Sequence, residues 1–140
     1  MATPKTKEAL IKLSDSNLTL TDAAEDIRGR KVLDTTGEEV GKVNDLLVDE
    51  QERKVRMLEV SSGGFLGLGA TTFLLPVDAI VRITEDAVYI SQARERIAGA
   101  PAYDPMLVDE RYLSGIYRHY GYSPYWSEDY RYPRYPYYPE

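Results

Sequence analysis

The residues that could do chemistry in this chain are few, and their spacing limits what that chemistry could be. His119 is the only histidine, and there is no cysteine. A Ser-His-Asp relay or an imidazole-bound metal would have to use His119, which lies in a tyrosine-rich stretch with no second strong ligand nearby. The run Gly64-Phe65-Leu66-Gly67-Leu68-Gly69 has the glycine content of a phosphate loop. Such a loop opens a helix and usually carries Lys and Ser/Thr after its last glycine. Here Ala70-Thr71-Thr72-Phe73 reads as a strand, and no lysine follows. Acidic residues gather at Glu38, Glu39, Asp45, Asp49, Glu50 and Glu52, but their spacing matches no calcium loop. They are expected to form a solvated charged rim. The expectation is a protein that is not an enzyme and has no metal site and no cofactor.

Aromatic residues are the more unusual resource. Most of the 12 tyrosines lie from Tyr103 onward, together with the single tryptophan, Trp126. Tyrosine and tryptophan give large contact area at low entropic cost, and Arg118, Arg131 and Arg134 are placed to stack on their faces. Two readings follow. The tail wraps its own domain, burying rings while hydroxyls reach water, or it is a recognition element for another protein or a second copy. Stacking on single-stranded RNA is a third use of such rings. However, Asp109, Glu110, Glu128, Asp129 and Glu140 leave no basic groove, and the net charge is -6. A protein partner or self-association is therefore expected, as a homodimer or larger, and nucleic acid is not. The proposed contact residues are Phe65, Leu66 and Leu68 in the glycine-rich loop, with Tyr112, Tyr117, Tyr120, Tyr125, Trp126, Tyr132 and Tyr135 in the tail. For the loop, a plain strand connection and an exposed contact patch stay equally open.

The elements that must position these residues are mostly short strands. Lys31–Asp34 and Glu39–Asp49 flank a turn in which Gly37 can take positive φ. Gly41 marks a bend or bulge. Lys54–Val60 follows a charged reversal, with Val55, Met57 and Val60 inward. Its alternation slips at Leu58-Glu59, which implies that both faces are partly covered. Thr72–Leu75 ends at Pro76, and Val77-Asp78-Ala79 turns the chain into a hairpin of Ile80–Thr84 and Ala87–Ile90 across Glu85-Asp86. Strands this short and close suggest a closed barrel, which would also remove exposed edges.

Helices are expected at three places. Thr6–Leu13 has weak helical character, and Ser91–Ala98 reads as a short helix capped by Ser91 and stopped by Gly99. Asp104-Pro105 reads as a further helix start, and Leu113, Ile116, Tyr117 and Tyr120 recur at i, i+3, i+4 and i+7 before Gly121. The prolines beyond Tyr122 favour extended backbone.

A chain of 140 residues accommodates one domain with appendages. The division expected is a lead-in over 1–25, a barrel over 26–103 and a Tyr/Pro-rich extension over 104–140. The apolar patch Ala9-Leu10-Ile11 is too brief for a signal peptide or a membrane span, so the default location is the cytoplasm.

Four stretches occur in order: Asp26–Val32, Gly37–Asp49, Gly63–Gly69 and Leu75–Ile80. Together they resemble the PRC-barrel domain, the family that includes the cytoplasmic domain of the photosynthetic reaction-centre H subunit and the C-terminal domain of the ribosome maturation factor RimM. The match is to small stand-alone bacterial members and covers about Asp26 to Tyr103. It implies a mainly β fold, a compact antiparallel β-barrel that docks or assembles with other proteins without a common catalytic residue. The H subunit has a membrane helix ahead of its barrel, and RimM has an additional N-terminal barrel. Neither has a counterpart here, so neither specific function carries over. Ribosome or RNA association by analogy with RimM is the alternative expectation, and a small-ligand carrier using the barrel interior is a weaker one.

Overall fold

The computed structural model describes residues 10–15, 23–63 and 70–136. Seven strands among them build one sheet: β1 Ile11–Lys12, β2 Lys31–Leu33, β3 Glu39–Asp49, β4 Lys54–Gly63, β5 Ala70–Pro76, β6 Ile80–Ile83 and β7 Ala87–Ile90. Their order is β5-β4-β3-β2-β7-β6, with β1 beside β3. β3 is long enough to hold β2 along Glu39–Lys42 and β1 along Leu47–Val48. Two helices follow, α1 Arg94–Ala98 and α2 Glu110–Tyr120.

The local chemistry explains most of these elements. Gly37 takes φ 84° in the β2–β3 turn, where Asp34 Oδ1 accepts from the Thr36 and Glu38 amides. Asp49 organises the β3–β4 reversal, its carboxylate accepting from the Gln51 amide. Gly41 has a packing reason as well as a bend. The β2–β3 register slips between Val32 and Leu33, opposite Gly41 and Glu39. A Cβ on Gly41 would lie 2.5 Å from the Ser61 carbonyl oxygen and 2.7 Å from Val60 Cγ1. Gly41→Ala is therefore expected to cost about 1–3 kcal/mol in urea denaturation, because a backbone carbonyl cannot rotate away.

The expected barrel is corrected in two respects. β5 and β6, the end strands, share no ladder among the described residues, so the sheet is not closed. Pro76 has no N–H to donate, and the chain turns directly from β5 into β6 through a single 3-10 turn at Val77–Ala79. The ladders are antiparallel except one, since β2 pairs in parallel with β7. The class is mainly β, as expected.

Three helix expectations change. Residues 6–9 lie outside the described residues, while Ile11–Lys12 is a strand and Leu13–Asp15 a 3-10 turn. α1 starts after Ala93, which has no side-chain oxygen to cap it, while the Ser91 hydroxyl, two residues earlier, donates to the Ala79 carbonyl. Asp104-Pro105 opens a 3-10 turn, Pro105–Leu107, and α2 begins later with Asp109 as its cap, accepting from the Tyr112 amide at 2.9 Å. Gly121 ends α2 at φ 83°, and the Tyr122 amide closes back on the Tyr117 carbonyl.

The core runs through the sheet and into α2. Val32, Val40, Leu46, Val55, Met57, Leu58, Val60 and Leu75 are fully buried, and so are Leu113, Ile116 and Tyr117. β4 is buried on both faces from Val55 to Val60. A strand turns alternate residues to opposite faces, so something outside the sheet must cover one of them.

Candidate contact site: an aromatic arm clasped on Arg56

The cover is the C-terminal arm, residues 121–136, led in by α2. Its anchor is Arg56 of β4, whose side chain is only 2% exposed. Asp49 Oδ2 lies 3.2 Å and Glu52 Oε1 2.6 Å from the Arg56 guanidinium. The guanidinium carbon sits 4.6 Å from the Tyr125 ring centre, 5.1 Å from that of Tyr132 and 5.8 Å from that of Tyr130. Guanidinium tolerates this burial because it is planar, weakly hydrated and attracted to ring faces. Next to it, Lys54 Nζ lies 4.9 Å from the Tyr132 ring centre. Among the described residues, the cations over the arm's rings thus come from β4 rather than from Arg118, Arg131 or Arg134.

Hydroxyls fasten the arm along its length. Tyr132 donates to the Val55 carbonyl at 3.0 Å, Tyr135 to the Glu25 carbonyl, and Tyr130 to Asp78 Oδ1 at 3.4 Å. Tyr122 lies 2.8 Å from Gln92 Nε2. Burial pushes the Tyr117, Tyr120, Tyr130, Tyr132 and Tyr135 hydroxyls far above the ordinary range, and those of Tyr112 and Tyr125 up to about 12. The Asp78 carboxyl is raised to about 6, chiefly by burial.

The proposed contact residues fall into three groups. Tyr117, Tyr120 and Tyr135 are buried in the core. Tyr112, Tyr125 and Tyr132 are half-buried, and Trp126 is 36% exposed. Trp126 meets Tyr117 edge-on at 6.0 Å and Tyr125 edge-on at 5.0 Å. Phe65, Leu66 and Leu68 lie outside the described residues. The Tyr112, Tyr117 and Tyr120 hydroxyls are buried without a hydrogen-bond partner among the described residues, so these rings do not all send their hydroxyls to water.

A second polar anchor lies elsewhere on β4. Glu59, 2% exposed, accepts from Asn44 Nδ2 at 2.6 Å and from the Tyr103 hydroxyl at 2.8 Å, and pairs with Lys12 at 3.0 Å. It ties the lead-in and the end of the 26–103 segment to the same strand. A cavity of about 270 Å³ opens beside this junction, bordered by Leu10, Lys12, Leu47, Tyr103, Met106 and Val108.

The remaining chemistry-bearing residues make contacts that join elements of the fold. His119 Nε2 donates to the Arg96 carbonyl at 2.6 Å, joining α2 to α1. The acidic rim is corrected in part, since Asp45 and Asp49 are buried. Asp45 takes the Ser14 hydroxyl and the Leu46 amide, and Asp49 holds Arg56. Among the described residues, no three His, Cys, Asp or Glu side chains converge on a metal position. No helix among them is long and apolar enough to cross a membrane.

Sequence reasoning missed Arg56, Glu59, Asp78, Tyr103 and Tyr130 as anchors. The one available signal was the broken alternation at Leu58-Glu59, which pointed to a strand covered on both faces.

No curated protein matches the chain. The family model of the PRC-barrel domain matches residues 21–97, more than half of the sequence and spanning β2 to α1. With the sheet order described above, this match places the chain in the PRC-barrel domain family.

Proposed function

We propose that the protein is a non-catalytic interaction and assembly module that associates with itself. The contact surfaces are the Phe65, Leu66 and Leu68 loop, Tyr112 of α2, and the arm at Tyr125 and Trp126. Of the other tail residues, Tyr117 packs edge-on against Trp126, Tyr120 and Tyr135 are buried and Tyr132 is half-buried.

The observation that carries this reading is Trp126. Two edge-on rings hold the indole, and yet it stays 36% exposed. A tryptophan that is already ordered loses little freedom on binding, which is the property of a good interface anchor. Family membership supports the same class of role.

Light scattering tests it on full-length protein, Trp126→Ser and a Phe65→Ser/Leu66→Ser double variant. The wild type is expected to be a dimer or larger, with at least one variant shifted towards monomer at equal concentration. Three monomers and no co-purifying protein would overturn the proposal. Co-sedimentation with ribosomal particles that weakens as salt rises would also overturn it, in favour of an RNA-associated role. Cutting the chain after Tyr103 is a poor test, because it removes Leu113, Ile116 and Tyr117 from the core.

A further inference from the structure

We propose that Trp126 receives an arginine from a second copy of the chain, Arg131, in a two-fold exchange in which each copy supplies one ring and one guanidinium. This rests on the self-association reading above and names the pair that holds its arm side.

The ring and the cation match because each is left over within its own copy. Arg and Lys side chains lie over Tyr89, Tyr103, Tyr125, Tyr130 and Tyr132, but among the described residues none lies over Trp126. Indole is the best ring for such a contact. Its two ring neighbours stand at 87° and 81° to it, so it is not sandwiched in a parallel stack, and it remains 36% exposed. Arg131 is exposed and has no ion pair and no ring contact among the described residues. Its neighbours Tyr130 and Tyr132 both turn inward to Arg56, and in extended chain that sends Arg131 outward. Tyr125, beside Trp126, meets the same guanidinium. Trp126 and Arg131 are thus the outer residues over one hub.

Charge favours a second copy over an unrelated basic partner. The charged groups facing Tyr125 are Asp49, Arg56, Glu110 and Glu52, three carboxylates against one buried guanidinium. Glu128 and Asp129 add exposed acids on the arm between Trp126 and Arg131. A surface that carries an acid-flanked indole and an unpaired arginine complements itself when turned about a two-fold axis. A lysine- or arginine-rich partner would instead meet Arg131 as a like charge.

Sedimentation equilibrium of full-length protein tests the exchange, with circular dichroism to verify folding. Trp126→Leu keeps an apolar side chain without the indole face, and Arg131→Gln removes an exposed charge. Each is expected to raise the dimer Kd roughly 10- to 100-fold. An equimolar mixture of the two variants is the decisive sample. Its mixed dimer regains one of the two contacts and is expected to be roughly 3- to 10-fold tighter than either variant alone. Arg131→Lys, which keeps the charge but not the planar face, should fall between wild type and glutamine. A wild-type dimer that Arg131→Gln leaves unchanged, or a mixture no tighter than its components, would overturn the pair and leave self-association standing. A wild type that is monomeric at every concentration would overturn both.

Discussion

Replacing Arg56 with alanine is expected to destabilise the protein by about 3–5 kcal/mol and to free the arm. The loss has two sources. Asp49, 6% exposed, is left as a buried carboxylate without its cation. Tyr125, Tyr130 and Tyr132 lose the guanidinium between their rings. Arg56→Lys keeps the charge but loses the planar stacking surface and the donor fork, so it should fall between wild type and alanine. Arg56→Met combined with Asp49→Asn removes both charges and keeps most of the volume. It should recover part of the alanine loss, because the unpaired charge is what costs most. Urea denaturation of the four proteins checks the order. Alanine and lysine variants with wild-type stability would show that the clasp does not hold.

The second large effect is expected in alkali. Tyr117, Tyr120 and Tyr135 are almost fully buried, and burial raises all three hydroxyls above the ordinary tyrosine value. The folded chain then keeps these protons while the unfolded chain releases them from about pH 10. A raised group contributes stability that is intact below its unfolded value and is lost above it. For three such tyrosines the loss reaches about 4 kcal/mol near pH 11, a large share of typical domain stability. Above about pH 8 stability should thus be flat up to about pH 10 and then collapse within roughly one to two units. Tyrosinate absorbance near 295 nm should rise with the unfolding transition seen by circular dichroism. A smooth, non-cooperative titration near the ordinary value, with the fold intact, would show that the rings are solvated.

Local features were legible in the sequence because their causes are local. The i, i+3, i+4, i+7 spacing of Leu113, Ile116, Tyr117 and Tyr120 marked the buried face of α2, and Gly37 and Gly121 both take the positive φ expected of turn and stop. The β6–β7 hairpin across Glu85-Asp86 forms as expected, but its register shifts between Ile80 and Arg82 and leaves Val81 49% exposed, against the simple alternation of the strand. The arm's anchor was not legible. Arg56 stands between Val55 and Met57 as an ordinary outward-facing residue would, and what buries it lies about 70 residues further along the chain. Asp45 and Asp49 looked like rim acids for the same reason, since their partners Ser14 and Arg56 come from other strands or turns. The parallel β2–β7 ladder and the pairing of Ile11–Lys12 with Leu47–Val48 are non-local as well. Periodicity shows which face is apolar, but not what will cover a polar one.

Through its packing on the sheet, the arm is part of the domain's structure. Through Arg56 and Glu59, β4 joins the barrel to both of its appendages. The outer surface of the arm is therefore set by how it folds back, with Trp126 36% exposed on it.

Equilibrium urea unfolding near pH 6, followed by two probes, tests this most directly. Trp126 is the only tryptophan, so its fluorescence reports the arm, while far-ultraviolet circular dichroism reports mainly the sheet. A docked arm predicts one cooperative transition with the same midpoint by both probes. A tryptophan signal already that of solvated indole in buffer, with a sheet that melts independently of it, would contradict the account.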